Sequence, residues 1–345
     1  MRNTVLVLGA GASCDFGLPT GDALSRQIEA MLTYSFDANG HPMRGDDTIY
    51  AQCIGAYPGD QVKVVQFFEA GAKLSRSISY SRSIDDALFK FGDDRFIVQA
   101  GKVAIVAAIL YRERQSWLYK FQTLSDDNAR YQLLKSNSDL WLLNVLRLIQ
   151  SKIKLSEARS TFSDLIIINF NYDRCLEHYL FHALQPAFSI GEADAVEILS
   201  RLRIIRPYGK VASLPWEVAK EQKLRFGQNV ELVELFEMSS NVRTFMEQQH
   251  DSEDMQQAKY FISKAQQIAF LGFGYHPQNI EFLGSASIHP NLRMYGTVFN
   301  TSSADQEYFK ELIYRYIMNG GEKEISFQDA DCSTFVRDYG LALFG

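Results

Sequence analysis

A short apolar segment followed at once by a glycine-rich loop constrains this chain more than any other feature. Residues Thr4–Leu8 are apolar and rich in β-branched side chains, which is typical of a buried strand, and Gly9 and Gly11 follow directly. Glycine accepts positive φ angles and lets a ligand approach the backbone closely. A helix that begins after such a loop offers backbone N–H groups to an anion, and the Ser13 hydroxyl adds a further donor. The segment therefore predicts a strand, a tight loop and a phosphate-binding turn.

The glycine loop departs from the dinucleotide-binding pattern at two points. A third glycine is expected where the chain has Cys14, and an acidic residue is expected on a second strand about 20 residues after the loop. Glu29 lies at that distance, but the residues around it predict a helix. A tight strand-to-helix turn without a ligand is therefore the alternative interpretation of this loop.

Strands and helices alternate over the second half of the chain. Short apolar runs predict further strands at Leu165–Ile168, Ile204–Ile205, Val230–Glu234, Ile268–Leu271 and Arg293–Phe299. Helical periodicity follows several of these runs, at Asp173–Ala183, Asp254–Gln266 and Ala304–Met318. Such alternation predicts an α/β fold with a parallel sheet and right-handed crossovers.

The pattern between Tyr34 and Arg159 is different. After a loop at Asp37–Asp47, helical periodicity occurs in four segments, and no strand is predicted: Val62–Leu74, Ile84–Phe91, Arg95–Arg112 and Leu140–Ile153. We therefore expect a large α-helical insertion at residues 34–159. Residues 1–33 and 160–345 would form the α/β domain.

Polar side chains follow the predicted strand Leu165–Ile168. Asn169, Asn171 and Asp173 alternate along the chain, so in an extended conformation they share one side. The carboxyl ends of parallel strands face the ligand crevice, where an amide can hold a ribose hydroxyl or orient a water, and a carboxylate can support positive charge on a sugar. We assign Asn169 to ligand binding, and Asn171 and Asp173 to catalysis. The alternative for Asp173 is a helix N-cap, because the residues after it predict a helix.

Charge and cysteine content limit the classes of partner. A net charge of −6 argues against direct binding to a nucleic-acid backbone. The four cysteines form neither a Cys-x-x-Cys zinc pair nor a dense disulfide framework, which predicts no metal and a reducing, cytoplasmic location: Cys14, Cys53, Cys175 and Cys332. No signal peptide is expected, and the longest apolar runs, such as Val103–Tyr111, are too short to span a bilayer, so no membrane partner is expected.

Four stretches of the chain match, in order, the motifs of a known family. They are GAGAS with the following GLPTG, SIDDAL, NFNYD with the helix after it, and FLGFGYHPQN, and together they span Gly9 to Asn279. On these motifs the chain resembles the sirtuin-like family, in particular its prokaryotic branch of NAD hydrolases found in anti-phage defence. The resemblance implies a Rossmann-like parallel sheet with a large α-helical insertion, and NAD as the substrate.

The resemblance also implies roles for individual residues. The NAD phosphates would be held by Gly9, Ala10, Gly11, Ala12 and Ser13. Pro19 and Thr20 would lie on a flexible loop over the cofactor, with Asn171 at the catalytic asparagine position and Asp173 beside the ribose. The adenosine half would meet Gly272, Phe273 and Gly274, with Ser302 or Ser303 as a further contact.

The chain lacks two features of that family. The zinc module of protein-deacylating members has paired cysteines, which are absent here, so deacylation is disfavoured. Where the family commonly has a histidine before a glycine, the segment IIRPYGKVASLPW has Tyr208. Nicotinamide leaves as a neutral base and needs no general acid, but a general base adds about 100- to 10,000-fold to a rate. Tyr208 and His276 are the candidate replacements at the site.

The SIDDAL motif has a local explanation as well. Ser83 can cap a helix, with Asp85 and Asp86 in its first turn. The resemblance gives Asp85 some additional weight as a site residue.

These observations lead to a functional prediction. We expect a cytoplasmic NAD glycohydrolase that depletes NAD in anti-phage, abortive-infection defence. Because unregulated NAD loss would kill the host, activity would be gated by homo-oligomerisation or by a partner, which in this family is often a hexameric ATPase. The alternative is a catalytically silent subunit that binds NAD or ADP-ribose and regulates a defence complex. A deacylase or ADP-ribosyl transferase is a third interpretation.

Overall fold

A six-stranded sheet covered by helices forms the centre of the molecule in the computed structural model, which describes residues 3–38, 42–218, 222–247, 252–285, 287–318 and 324–345. The strands in these residues are β1 Thr4–Leu8, β2 Ser35–Phe36, β3 Pro42–Arg44, β4 Leu165–Asn169, β5 Arg203–Ile205, β6 Gln267–Leu271, β7 Arg293–Thr297 and β8 Ile325–Gln328. The helices from the first half of the chain are α1 Gly21–Leu32, α2 Asp47–Ala56, α3 Gln61–Ile78, α4 Ile84–Lys90, α5 Arg95–Gln115, α6 Trp117–Thr123, α7 Asp127–Ser136 and α8 Trp141–Gln150. Those from the second half are α9 Cys175–Phe188, α10 Glu192–Leu199, α11 Leu235–Met238, α12 Glu253–Lys264, α13 Pro277–Phe282, α14 Ser303–Tyr316 and α15 Cys332–Phe344.

The main sheet is parallel throughout, in the order β5-β4-β1-β6-β7-β8. Numbered along the chain within this sheet, the order is 3-2-1-4-5-6, which is the Rossmann arrangement. The predicted α/β fold with a Rossmann-like parallel sheet is therefore confirmed. The strand order reverses between β1 and β6, where Leu8 is paired with Leu271, and ligands of such folds bind in the crevice at this point.

Alternating side chains of β1 belong to two cores on opposite faces of the sheet. Val5 and Val7 pack with α1, α3 and α5, whereas Leu6 and Leu8 pack with α8, α9 and α15. Helices from the predicted insertion therefore cover both faces and share their cores with the sheet. The centre of α5, Val103–Leu110, is buried throughout. No helix in the described residues combines the length and apolarity that crossing a membrane requires.

Two local predictions were wrong. The block predicted to contain only helices includes the antiparallel pair β2 and β3, whose strands of two and three residues are too short to give a periodic signal. The strand predicted at Val230–Glu234 is instead a 3-10 helix at Val230–Leu232. Val230 is buried in this helix, and the next buried residue, Val233 directly after it, is three positions away, which suits a helical turn and not the alternation of a strand.

The predicted Ser83 cap is confirmed, and Thr20 caps α1 in the same way. The Thr20 hydroxyl accepts a hydrogen bond from the Ala23 N–H at 3.3 Å, and the Ser83 hydroxyl accepts one from the Asp86 N–H at 3.1 Å. The helix predicted to begin at Asp173 begins instead at Cys175. These caps fix where the loops before α1 and before α4 end, and both loops border the candidate site.

Candidate functional site

A cavity of about 440 Å³ opens at the carboxyl ends of β1, β4 and β6. Its walls come from the loop after each strand: Gly9–Gly11 after β1, Phe170–Asp173 after β4 and Gly272–His276 after β6. The volume lies within the roughly 300–1,000 Å³ common for small-molecule sites. The cavity therefore lies where the strand order predicts a ligand crevice.

Most residues assigned to the site from the sequence line this cavity. They are Gly9, Ala10, Gly11, Pro19, Thr20, Asn171, Asp173, Tyr208, Gly272, Phe273 and Gly274. Asp85 and His276 line it as well. The structure thus brings together residues that are up to 267 positions apart in the chain (9 to 276).

Four assigned residues do not line the cavity: Ala12, Ser13, Asn169 and Ser302. The Ala12 carbonyl accepts a hydrogen bond from Trp141 Nε1 at 2.8 Å, below the glycine loop. Ser302 caps α14, because its hydroxyl accepts from the Asp305 N–H at 3.2 Å, and Ser303 is the first residue of that helix. Ser13 and Asn169 instead support Asn171, as described below. The direct ligand contacts assigned to these four residues are thus not supported by their positions.

The glycines of the first loop are required by contact between two backbones. The Gly9 N–H donates to the Leu271 carbonyl at 3.1 Å, and the Gly11 N–H donates to the Gly272 carbonyl at 2.9 Å. A Cβ at Gly9 would lie 2.6 Å from the Gly272 carbonyl oxygen, and one at Gly11 would lie 2.7 Å from the Gly272 Cα. These two N–H groups are therefore not open to a phosphate, contrary to the expectation from sequence. The Ala10 N–H, at the first position of the helical turn, has no partner in the described part of the chain.

Asn171 is held by three groups behind the cavity wall. Its Nδ2 donates to the Gly9 carbonyl at 2.9 Å and to Ser13 Oγ at 3.0 Å, and its own N–H donates to Asn169 Oδ1 at 3.0 Å. Because a carbonyl can only accept, the bond to Gly9 fixes which end of the amide is the nitrogen. The Asn171 Oδ1 therefore remains as the acceptor at the cavity side.

Asp173 supplies a buried carboxylate to the same wall. Its Oδ1 accepts from the Cys175 N–H at 2.9 Å, and only 4% of the residue is exposed. Burial raises the pKa of Asp173 above its usual range, while the Cys175 N–H, the Ser13 hydroxyl and Arg206 oppose the rise. Arg206 also donates from Nη1 to the Asn171 carbonyl at 2.7 Å, so the same guanidinium supports both residues.

A buried ion pair fixes the start of the helix after Asp173. The Arg174 Nε donates to Glu113 Oε1 at 3.0 Å, and the Arg174 N–H donates to the same oxygen at 3.2 Å. Both side chains have no exposed surface. Glu113 belongs to α5, so a helix of the predicted insertion holds the loop that carries Asn171 and Asp173. This pair is not predictable from the sequence, where its only signal is a carboxylate close after the apolar run of α5.

Tyr208 lies where the resemblance to the sirtuin-like family leads one to expect a histidine. Its hydroxyl donates to Asn279 Oδ1, and its ring is stacked on Tyr172 with centroids 6.2 Å apart. Burial and the charge of Asp85 raise the pKa of Tyr208 well above its usual range, so its hydroxyl stays protonated at neutral pH. Tyr208 can shape the cavity and hold Asn279, but it is unsuited to removing a proton.

His276 and Asp85 are further proton-accepting groups at the cavity. Burial lowers the pKa of His276, so the imidazole is mostly neutral at pH 7. Asp85 accepts a hydrogen bond from the Tyr172 hydroxyl through Oδ1, and burial raises its pKa to about 6. The sequence pattern favours Asp85 as part of a helix cap, and the contact with Tyr172, 87 positions away, leaves no local signal.

A second cavity, of about 640 Å³, lies on the other side of the loop after β5. It is larger, but each of its cationic residues is already paired with a carboxylate: Arg206 with Glu177, Lys210 with Glu217 and Arg243 with Asp254. It also lacks the strand-end asparagine and the glycine loop. The first cavity is therefore the better candidate for the functional site.

No protein-family model matches this chain, and no curated protein matches it. The resemblance to the sirtuin-like family thus rests on the four sequence motifs and stays a prediction.

Proposed function

We propose that this chain binds NAD in the 440 Å³ cavity and hydrolyses its nicotinamide–ribose bond. The observation that carries the proposal is the fixed orientation of Asn171. Both hydrogens of its amide are used by Gly9 and Ser13, which leaves Oδ1 as an oriented acceptor next to the loop that carries Asp173. An acceptor set in advance at the reacting centre needs no rearrangement when the substrate binds.

Two residues would carry the chemistry at the sugar. As the bond from C1′ to the pyridinium nitrogen breaks, its electron pair leaves with neutral nicotinamide and the sugar becomes cationic. The Asp173 carboxylate would support that positive charge, as carboxylates do in glycoside hydrolysis. Asn171 Oδ1 would accept a hydrogen bond from the attacking water or from a ribose hydroxyl.

The other end of the cavity suits the adenosine half. Phe273, Tyr275, Val298 and Phe309 give it an apolar wall, and a planar base can stack on such side chains. Arg82 is the one arginine or lysine that lines the cavity among the described residues, and its guanidinium forms no ion pair there. We assign Arg82 and the Ala10 N–H to the pyrophosphate.

The second candidate function is binding without turnover. Tyr208 favours it, because the hydroxyl at the position of the family's histidine is buried, donates to Asn279 and holds its proton. Such a chain would sense NAD or ADP-ribose and regulate a partner.

Nicotinamide release from NAD separates the two candidates. Purified protein would be incubated with NAD, and ADP-ribose binding would be measured in parallel by calorimetry. We expect release by the unaltered chain, its loss in Asn171→Ala, and retention in Asn128→Ala, which changes an exposed residue of α7. Turnover that survives Asn171→Ala would overturn the assignment of the site. Bound NAD without any release would favour the sensor.

The setting of this activity is part of the same proposal. Depletion of NAD would serve anti-phage defence in the cytoplasm, with activity gated by homo-oligomerisation or by a hexameric ATPase or other defence partner. The support is the resemblance of the four motifs. Light scattering with and without NAD measures the oligomeric state. A monomer whose rate of nicotinamide release per chain does not depend on protein concentration would contradict gating by self-association.

A further inference from the structure

One carboxylate of the cavity comes from α4 but does not cap that helix. Asp85 is the second residue of α4. Ser83 caps this helix, and the Asp86 carboxylate accepts from the Arg82 N–H at 3.2 Å, so the capping contacts belong to its neighbours. Asp85 instead points to the cavity, where it keeps part of its surface accessible.

The environment of Asp85 differs from that of the other two carboxylates at the cavity. Asp22 is exposed and paired with Arg26, and Asp173 is bonded to the Cys175 N–H. Asp85 has no ion pair in the described residues, and its only side-chain hydrogen bond comes from the Tyr172 hydroxyl to Oδ1. Its Oδ2 is therefore without a side-chain partner in that part of the structure.

The ionisable groups near Asp85 come from several elements. Tyr172 after β4, Tyr208 after β5 and Asp86 on α4 interact with Asp85 itself. His276 before α13 and Arg82 before α4 line the same cavity. Glu247 acts on Tyr172, and its charge is balanced by Lys102 of α5 at 2.8 Å. Desolvation is the largest influence on Asp85, and it raises the pKa to about 6. At pH 7 the carboxylate is mostly ionised and binds a proton more strongly than an exposed aspartate does.

We propose that Asp85 is the general base of the reaction, in place of the histidine that the sequence lacks. The proposal rests on NAD hydrolysis as the proposed function. The water oxygen forms a bond to C1′ as nicotinamide leaves with the electron pair of the broken bond. Asp85 Oδ2 takes the proton of that water and later releases it to solvent. The products are ADP-ribose, nicotinamide and one proton, so atoms and charges balance.

Tyr172 gives this arrangement its geometry. It lies between Asn171 and Asp173 in the chain, and its hydroxyl holds one oxygen of Asp85. The base from the insertion is thereby joined to the loop that carries the other two reacting groups. His276 is the less suitable base, because in the described residues no hydrogen bond joins its imidazole to the loop that carries Asn171 and Asp173, whereas Tyr172 joins Asp85 to that loop.

The test compares Asp85→Asn, Asp85→Glu and His276→Gln with the unaltered chain, each checked for folding by circular dichroism. We expect the rate of nicotinamide release at saturating NAD to fall as the pH drops through about 6 in the unaltered chain. Asp85→Asn should lower this rate by about 100-fold or more and abolish that pH dependence. ADP-ribose affinity should change by less than about threefold, because a proton-transfer group adds little to ground-state binding.

The controls separate this inference from the proposed function. Asp85→Glu should recover part of the rate, His276→Gln should keep the pH dependence, and the exposed Asp93→Asn should match the unaltered chain. If Asp85→Asn keeps the turnover rate of the unaltered chain, Asp85 is not the general base, although NAD hydrolysis as the proposed function is unaffected. If Asp85→Asn loses ADP-ribose binding together with the rate of nicotinamide release, Asp85 is a binding residue and the proposal is overturned. No release by the unaltered chain at any pH would remove both.

Discussion

The absence of a Cβ at Gly11 lets the loop after β1 contact the loop after β6. Replacing Gly11 by alanine would place a Cβ 2.7 Å from the Gly272 Cα, and neither backbone can move aside without breaking the hydrogen bond between them. We expect Gly11→Ala to lower the free energy of unfolding by about 1–3 kcal/mol, as overpacking does, and to weaken ADP-ribose binding.

Urea denaturation and calorimetry measure both effects. Gly55→Ala is the matched control, because nothing lies within 4 Å of its added carbon in α2. That variant should be more stable by about 0.5–1 kcal/mol. Equal stability changes in the two variants would contradict the packing explanation of the loop.

The charge of Asp85 also predicts a dependence of stability on pH. Its folded pKa of about 6 lies above the ordinary 3.8, so the folded chain binds this proton more tightly than the unfolded chain does. The free energy of unfolding should therefore fall as the pH rises from about 4 to about 6. Asp85→Asn removes this penalty, and at pH 7 it should be more stable by about 1–2 kcal/mol after allowance for partial exposure.

Denaturation midpoints at several pH values measure this difference. The gain should shrink toward zero as the pH approaches 4. A gain that is constant over this range would mean that the carboxylate is not the source. The same substitution would thus stabilise the fold and remove the proposed base.

At the scale of elements, the ion pair between Glu113 and Arg174 joins α5 to the start of α9. Glu113→Gln would leave a buried guanidinium without its counter-charge and should lower the free energy of unfolding by about 3–5 kcal/mol. Nicotinamide release should also fall, because the loop at Asn171–Asp173 loses its anchor. Urea denaturation measures the first effect and the rate at saturating NAD the second.

A double variant checks the cause. Glu113→Leu combined with Arg174→Met removes both charges and should be less destabilised than Glu113→Gln alone. If the double variant is the less stable of the two, the uncompensated charge is not the reason for the loss.

Strands with a clear apolar run and a sharp polar end were predictable from the sequence, and the strand that was predicted wrongly has a physical cause. The strand before Gly9 and the strand before Asn169 are short apolar runs with a sharp polar end, so each was recognised. Val230–Leu232 was misread because a run of apolar and acidic residues does not distinguish a 3-10 turn from a strand.

From the residues themselves, the reacting groups of the site were predictable where they follow a strand, and Pro19 and Thr20 through the resemblance. Asn171 and Asp173 follow β4 directly, but Asp85 and Glu113 reach the site through contacts of 87 and 61 positions. Local sequence carries no signal for such contacts. The hydrogen bonds from the Gly9 and Gly11 N–H groups to the end of β6 and the loop after it were not predictable either, because they depend on where β6 lies in the sheet.

At the scale of the whole molecule, the helices of the predicted insertion and the sheet share their cores. Trp141 of α8 donates to the Ala12 carbonyl at 2.8 Å, and Trp117 of α6 donates to the Asp15 carbonyl at 3.0 Å, so two helices of the insertion hold the segment after the glycine loop. We therefore expect one cooperative unfolding transition in urea, with coincident curves from tryptophan fluorescence and far-ultraviolet circular dichroism. Two separated transitions would show that residues 34–159 unfold independently.

The central position of β1 has a consequence for synthesis on the ribosome. β1 is synthesised before every other strand of the sheet. It nevertheless pairs with β4 on one side and with β6 on the other, so that Thr4 lies opposite Leu165 and opposite Gln267. Until β6 has emerged, one edge of this apolar strand has no partner, which favours chaperone binding and slow, late closure of the sheet. The cavity includes residues as far along the chain as Phe309, so it is complete only when most of the chain has been translated. A nascent or truncated chain would then lack the complete cavity.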